Sequence, residues 1–102
     1  DLNNHLLVLR KEKEVVGTLQ LTLIENMTFS ASRRAQIEGV RIKRTHRGLG
    51  LGKKLIEEAI QISKSSGAKI VQLTSNKERS EALSFYESLG FKSTHSGFKF
   101  YL

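Results

Sequence analysis

Val40-Arg41-Ile42-Lys43-Arg44-Thr45-His46-Arg47-Gly48-Leu49-Gly50-Leu51-Gly52-Lys53 is the stretch that decides the fold. It begins as an apolar strand, crosses a basic loop with three alternating glycines, and opens a helix. From Gly50 the apolar period becomes helical: Leu51, Leu55, Ala59 and Ile62 recur on one side, widened by Ile56 and Ile60. Glu57, Glu58, Gln61 and Lys64 take the other side. Ser65-Ser66-Gly67 ends the helix, with Gly67 as the residue just past it. Ile70 to Thr74 then reads as a strand. Strand, helix, strand across residues 36 to 74 is a βαβ unit, so its two strands should be parallel.

Upstream, Leu6 to Leu9 is a short apolar run and reads as a strand. Lys11 to Glu14 is polar and reads as a turn. Val15 to Ile24 alternates, with Leu19, Leu21 and Leu23 on one face and Thr18, Gln20 and Thr22 on the other. These runs predict a hairpin. Glu25 to Arg34 is expected to be a loop, followed by a third strand from Ala35 to Ile42. Gly39 breaks the alternation of that strand, which marks a bulge or a close backbone approach. Downstream, a second helix is expected from about Ser80 to Leu89, stopped by Gly90, with Ser75 and Glu78 as a possible capping box. Phe91 to Ser93 and Phe98 to Leu102 predict a closing hairpin around His95-Ser96-Gly97. The fold class is therefore α/β: a mixed sheet with two main helices.

The chain has 102 residues, which suits a single domain spanning 1–102. Hydrophobic residues are 38% and charged residues 26%, as in an ordinary water-soluble domain. No run approaches the ~20 apolar residues of a membrane-spanning helix, and the N-terminus does not read as a signal peptide. A cytoplasmic location is the default expectation. Cysteine is absent, which excludes disulfides, thiolate metal sites and cysteine nucleophiles. His5, His46 and His95 lie far apart, so no metal site is expected.

The net charge of +7 is concentrated. Residues 33 to 54 hold eight basic side chains against Glu38 alone, a net of +7, and the remainder of the chain is neutral. Such a concentration points to a local polyanion site. The first turn of a helix leaves N–H groups without internal partners, at the positive end of its dipole. Glycines let a phosphate approach that backbone. Arg47 and Lys53 add charge, so Arg47 to Lys53 has the makings of a pyrophosphate cradle. It is not a Walker A loop, because G-x-x-x-x-G-K-[ST] is absent. It also fails the dinucleotide G-x-G-x-x-G pattern, because Lys53 stands where the third glycine belongs.

Two segments carry a family resemblance. Arg47-x-x-Gly50-x-Gly52 fits the [RQ]-x-x-G-x-[GA] signature of GNAT acetyltransferases, and it sits where that family places it, after a strand and opening the long helix. Ala82-Leu83-Ser84-Phe85-Tyr86-Glu87-Ser88-Leu89-Gly90-Phe91 resembles the family's A-x-x-[FL]-Y-x-x-x-G-F segment. The two motifs occur in order, with the expected strand between them, and the resemblance spans about Leu6 to Leu102.

The resemblance implies a splayed, mixed sheet and acetyl-CoA as co-substrate. The backbone of Val40, Arg41 and Ile42 would pair with the pantetheine arm. The amides of Arg47, Gly48, Leu49, Gly50, Leu51, Gly52 and Lys53 would hold the pyrophosphate. Tyr86 would lie near the cofactor sulfur and protonate the leaving thiolate. Glu38 matches a position that supplies a base in some members. Many members have Asn seven residues before the tyrosine, where this chain has Arg79; Asn76 would substitute, or Arg79 would contact the phosphates.

Family members ordinarily place a strand and two helices before the first strand seen here. The resemblance therefore implies a domain short on its N-terminal side, with one sheet face or edge left for a second copy (a homodimer) or for further residues to cover. The resemblance also implies an amine acceptor, on a small molecule or a protein, and no membrane partner is expected. Three plainer readings stay open at this point. Tyr86 can be simple helix core, and Glu38 can be a solvated strand residue paired with Arg41 or Lys43. The chain as a whole can be an acetyl-CoA-binding module with weak catalysis. A basic nucleic-acid-binding domain is the rival class, but the aromatics are not interleaved with the basic run and no RNP, KH or zinc-finger signature is present.

Overall fold

The computed structural model of the chain describes residues 3–25, 33–74, 79–94 and 97–102. Strands β1 (Asn4–Lys11), β2 (Glu14–Glu25) and β3 (Arg33–Ile42) come first. A single 3₁₀ turn, Arg44–His46, leads to helix α1 (Leu51–Ser65). Strand β4 (Ala68–Leu73), helix α2 (Arg79–Ser88) and strands β5 (Lys92–Ser93) and β6 (Phe98–Tyr101) complete the order. The six strands form one sheet ordered β1-β2-β3-β4-β6-β5. The β3–β4 pair is parallel and the others are antiparallel.

The expected β1–β2 hairpin forms, turning at Glu12 with a φ of +59°. The expected loop from Glu25 to Arg34 is shorter than its composition implied. Arg33 and Arg34 extend β3, because Arg34 alternates outward between Ile24 and Ile70 while Arg33 bonds to Glu25 at 3.0 Å and to the Ser66 carbonyl at 3.1 Å. The basic loop after β3 is likewise more ordered than expected, since Arg44–His46 closes a helical turn. The proposed cap residues Ser75 and Glu78, together with His95, lie outside the described residues.

One face of the sheet holds the core. Leu19, Leu21 and Ile37 are fully buried there beside Ile56, Ala59 and Val71. Burying each of the large aliphatic side chains contributes roughly 1.5–3 kcal/mol. Helix α1 presents Leu55, Ile56, Ala59 and Ser63 to this face, and the Ser63 hydroxyl donates to the Ala59 carbonyl at 2.7 Å, so no polar atom is stranded. Gly67, with φ +85°, lies just past the end of α1 as expected. The opposite face of the sheet is open, and it leaves Leu6 67% and Val8 45% exposed.

Two features shape the centre of the sheet. Gly39, with φ +62°, forms a bulge in β3: Gly39 and Val40 together oppose Leu19, between the pairs Gln20–Glu38 and Thr18–Arg41. The β3–β4 pairing runs from Arg33–Ala68 to Ile37–Leu73 and stops there. From Glu38 onward β3 keeps β2 on one side and has an open edge on the other. The sheet is thus split along its middle, as the splayed architecture requires.

Ile37 closes the apex of the split and is fully buried. Ile37→Ala is expected to cost about 3 kcal/mol, seen as a lower midpoint in urea denaturation with an unchanged slope. A loss below about 1 kcal/mol would mean that the apex is not tightly packed.

Candidate active site

The loop from Lys43 to Gly50 aims the start of α1 at the open edge of β3. The Lys43 amide donates to the Val16 carbonyl at 2.7 Å, which extends the β2–β3 ladder by one residue. Arg47 Nε donates to the Ile42 carbonyl at 3.1 Å and folds the loop back on the strand end. Gly50 takes the N-cap position of α1 in the left-handed conformation, with φ +77°. It has no side chain to cap the helix, and the first turn carries no acidic residue. The first amides of α1 are therefore left for an outside acceptor.

Gly48 and Gly50 have no atom within 4 Å of where a Cβ would stand. Packing does not demand glycine there. Their backbone angles do, and the open space beside them is what a phosphate group would fill. Gly52 differs: a methyl there would meet Phe85 at 3.7 Å and Ile42 at 3.8 Å, which is ordinary contact. Alanine would fit, as the alternative in the sequence signature allows. Arg47, Lys53 and Lys54 are exposed around this opening. The basic run is not one patch, however. Arg33 and Arg34 sit at the far end of β3, roughly 30 Å from the loop by strand rise, and Arg33 is engaged by Glu25 and Ser66.

Tyr86 lies on α2 and is 5% exposed. Its ring packs on Phe98 at 4.8 Å, Phe85 at 4.9 Å and Phe91 at 5.7 Å between centroids. Burial pushes its pKa above 10.0, so the phenol stays protonated at neutral pH. It has no hydrogen-bond partner among the described residues, yet none of their buried side-chain oxygens lacks one.

Register places this tyrosine at the apex of the split. Phe98 pairs with Leu73, and Leu73 pairs with Ile37. Glu38 is the next residue of β3. It is exposed and shares the open face with its pair partner Gln20, opposite the helices. Tyr86 and Glu38 therefore flank the apex from opposite faces. Of the paired alternatives for Glu38, Lys43 is excluded because it binds Glu14, and Glu38 makes no ion pair among the described residues. Asn76 lies outside the described residues. Arg79 opens α2, with its side chain outside them.

Residues 1–91 match the model of the acetyltransferase (GNAT) family. The chain belongs to the GNAT acetyltransferase family. It is 31% identical over 91 residues to human N-acetyltransferase 8B, covering 89% of this chain and 40% of that protein. A transcriptional regulator from Bacillus halodurans C-125 superposes with a TM-score of 0.88 at 45% identity, covering all of this chain and 68% of the other. The PaiA N-acetyltransferase from Thermoplasma acidophilum, solved in complex with coenzyme A, shares the fold at a TM-score of 0.78 and 24% identity, over 98% of this chain and 62% of its own. The GNAT chain described here thus spans two-fifths of the length of the human relative.

Sequence reasoning missed the tie between the Lys43 ammonium and the Glu14 carboxylate, which clips the β1–β2 turn to the loop entrance. The two lie 29 residues apart, and nothing local links them. The hydrogen bond from Lys43, and then its charge, lower the Glu14 pKa below 4.5. A depressed carboxylate pKa means the tie holds at neutral pH and is released as pH falls through that value. An NMR titration should find Glu14 below 4.5 and return it toward 4.5 in Lys43→Ala. An unchanged Glu14 in the variant would show that the tie does not form in solution.

Proposed function

We propose that this chain transfers acetyl from acetyl-CoA to a primary amine by direct attack, with both substrates bound together. The observation that carries this reading is the end of β3–β4 pairing at Ile37–Leu73. It opens an unpaired strand edge between a donor-rich helix start and a protonated tyrosine. The pantetheine arm of acetyl-CoA would pair with the backbone of Val40, Arg41 and Ile42 along that edge. Its pyrophosphate would take the amides from Arg47 to Lys53, with the guanidinium and ammonium groups nearby adding charge. Such an arm is a strand in all but its side chains, and it would satisfy backbone groups that otherwise face water.

The thioester carbonyl would then lie at the apex. The amine approaches from the open face, where Glu38 takes its proton directly or through water. The amine nitrogen bonds to the carbonyl carbon, and the carbon–sulfur bond breaks as Tyr86 donates its proton to the departing thiolate. Unpaired N–H groups on the β3 edge suit the oxyanion that forms between these steps. The raised pKa of Tyr86 fits an acid that must hold its proton until the thiolate leaves. No covalent enzyme intermediate is needed. Positioning two bound reactants also supplies several kcal/mol of the barrier reduction. The default cytoplasmic location belongs to this proposal, since it would give access to the cofactor.

Steady-state kinetics of thiol release test the assignment. Tyr86→Phe should lower kcat by about 100-fold and leave the KM for acetyl-CoA nearly unchanged, because the ring still packs. In the wild type the alkaline loss of activity due to this group should fall above pH 10.0. A variant within about threefold of wild type, well short of the range for a general acid, would reduce Tyr86 to a packing role.

A further inference from the structure

On the open face of the sheet, one row crosses four neighbouring strands: Gln36 of β3, Gln72 of β4, Lys99 of β6 and Lys92 of β5. Gln36 alternates with buried Ala35 and Ile37, which turns the row away from the helices. Gln72 Nε2 donates to Gln36 Oε1 at 2.7 Å. That bond uses the Gln36 oxygen and leaves its two N–H donors without a partner among the described residues. Lys99 is half-buried and directly opposes exposed Lys92. Like charges opposed across a sheet repel. Neither lysine has an ion-pair partner among the described residues. Donors and positive charge thus gather here with no carboxylate in the row to match them.

They also enclose a space. Gln36, Gln72, Thr94 and Lys99 line a pocket of about 70 Å³ beside the split. Thr94 and Gly97 form its far wall, and Gly97 approaches β4 so closely that a Cβ would stand 2.2 Å from the Leu73 carbonyl oxygen. The Thr94 hydroxyl is spent on the Gly97 carbonyl at 3.2 Å, which holds that wall together.

We propose that this pocket is an oxyanion-recognition subsite for the acceptor. The amine that receives the acetyl group would carry a carboxylate or phosphate held by Lys99 and Gln36, with Lys92 adding longer-range attraction. The proposal rests on the acetyl-transfer reading for the placement of the other end of the acceptor. Glu38 lies two residues beyond Gln36 on the same face. Strand spacing puts the Cα atoms of Glu38 and Lys99 about 12 Å apart. A short aliphatic or sugar-sized spacer between the amine and the oxyanion would span that separation. A polycationic acceptor would set its second charge against the lysine pair and bind poorly.

The test is an amide-resolved NMR titration, which needs no turnover. The probes are ω-amino acids with three to five methylenes and their neutral ω-amino amides, added to wild type and to Lys99→Gln. At least one amino acid of the series should bind about tenfold tighter than its amide in wild type, a gap of the size expected for a charge-assisted contact. It should shift Gln36, Gln72 and Lys99. That advantage should vanish in Lys99→Gln while the amides from Gly48 to Lys53 stay unmoved. Equal binding of acids and amides in wild type would overturn the subsite, as would an advantage that survives in the variant. Anion preference retained alongside an active Tyr86→Phe enzyme would instead count against the chemistry assigned above and leave the subsite standing.

Discussion

The site depends on one constraint: two parallel strands that pair at five positions and then part. Each contributes to the parting. β3 is bent by the extra residue at Gly39, which adds twist beyond Ile37. β4 ends at Leu73, where the turn at Gly97 seats against its carbonyl. Past that point the backbone of Glu38 to Ile42 has polar groups on one side that no strand satisfies. An unpaired edge in the middle of a sheet is costly to bury and hazardous to expose. A ligand that pairs like a strand would resolve both problems.

The rest of the molecule supports that opening. Helix α1 lies on the core face of the same strands and starts at the end of the split, so its dipole and free amides meet whatever lies along the edge. The aromatic cluster of Phe85, Tyr86, Phe91 and Phe98 closes the apex on the core side. It buries Tyr86, and that burial raises the phenol pKa and fixes the position of the ring. On the other face, the polar row from Gln36 to Lys92 runs past the apex toward water. The two faces therefore offer opposite environments on either side of the apex.

Much of this was legible in the sequence because it is local. The 3.6-residue period from Leu51, the alternation of Leu19, Leu21 and Leu23, and the stops at Gly67 and Gly90 each follow from short-range rules. Gly39 announced its bulge by breaking an alternation. The family resemblance placed Tyr86 and Glu38, which no spacing rule links, and register then brought them to one apex. What stayed hidden was set by pairing between distant segments. The extension of β3 back to Arg33 depends on partners at Glu25 and Ser66. The Lys43–Glu14 tie and the alignment of Gln36, Gln72 and Lys99 exist only once the sheet order is known. The charge count misled in one respect: it merged Arg33 and Arg34 with a loop at the opposite end of the strand.

The central claim is that the unpaired edge of β3 and the uncapped start of α1 hold acetyl-CoA. Isothermal titration of acetyl-CoA into wild type and into Gly50→Glu tests it most directly, with circular dichroism confirming that both are folded. Wild type is expected to bind saturably and the variant to lose that binding, because its carboxylate would occupy the phosphate space and oppose its charge. No binding by the folded wild-type chain, or equal binding by the two, would contradict it.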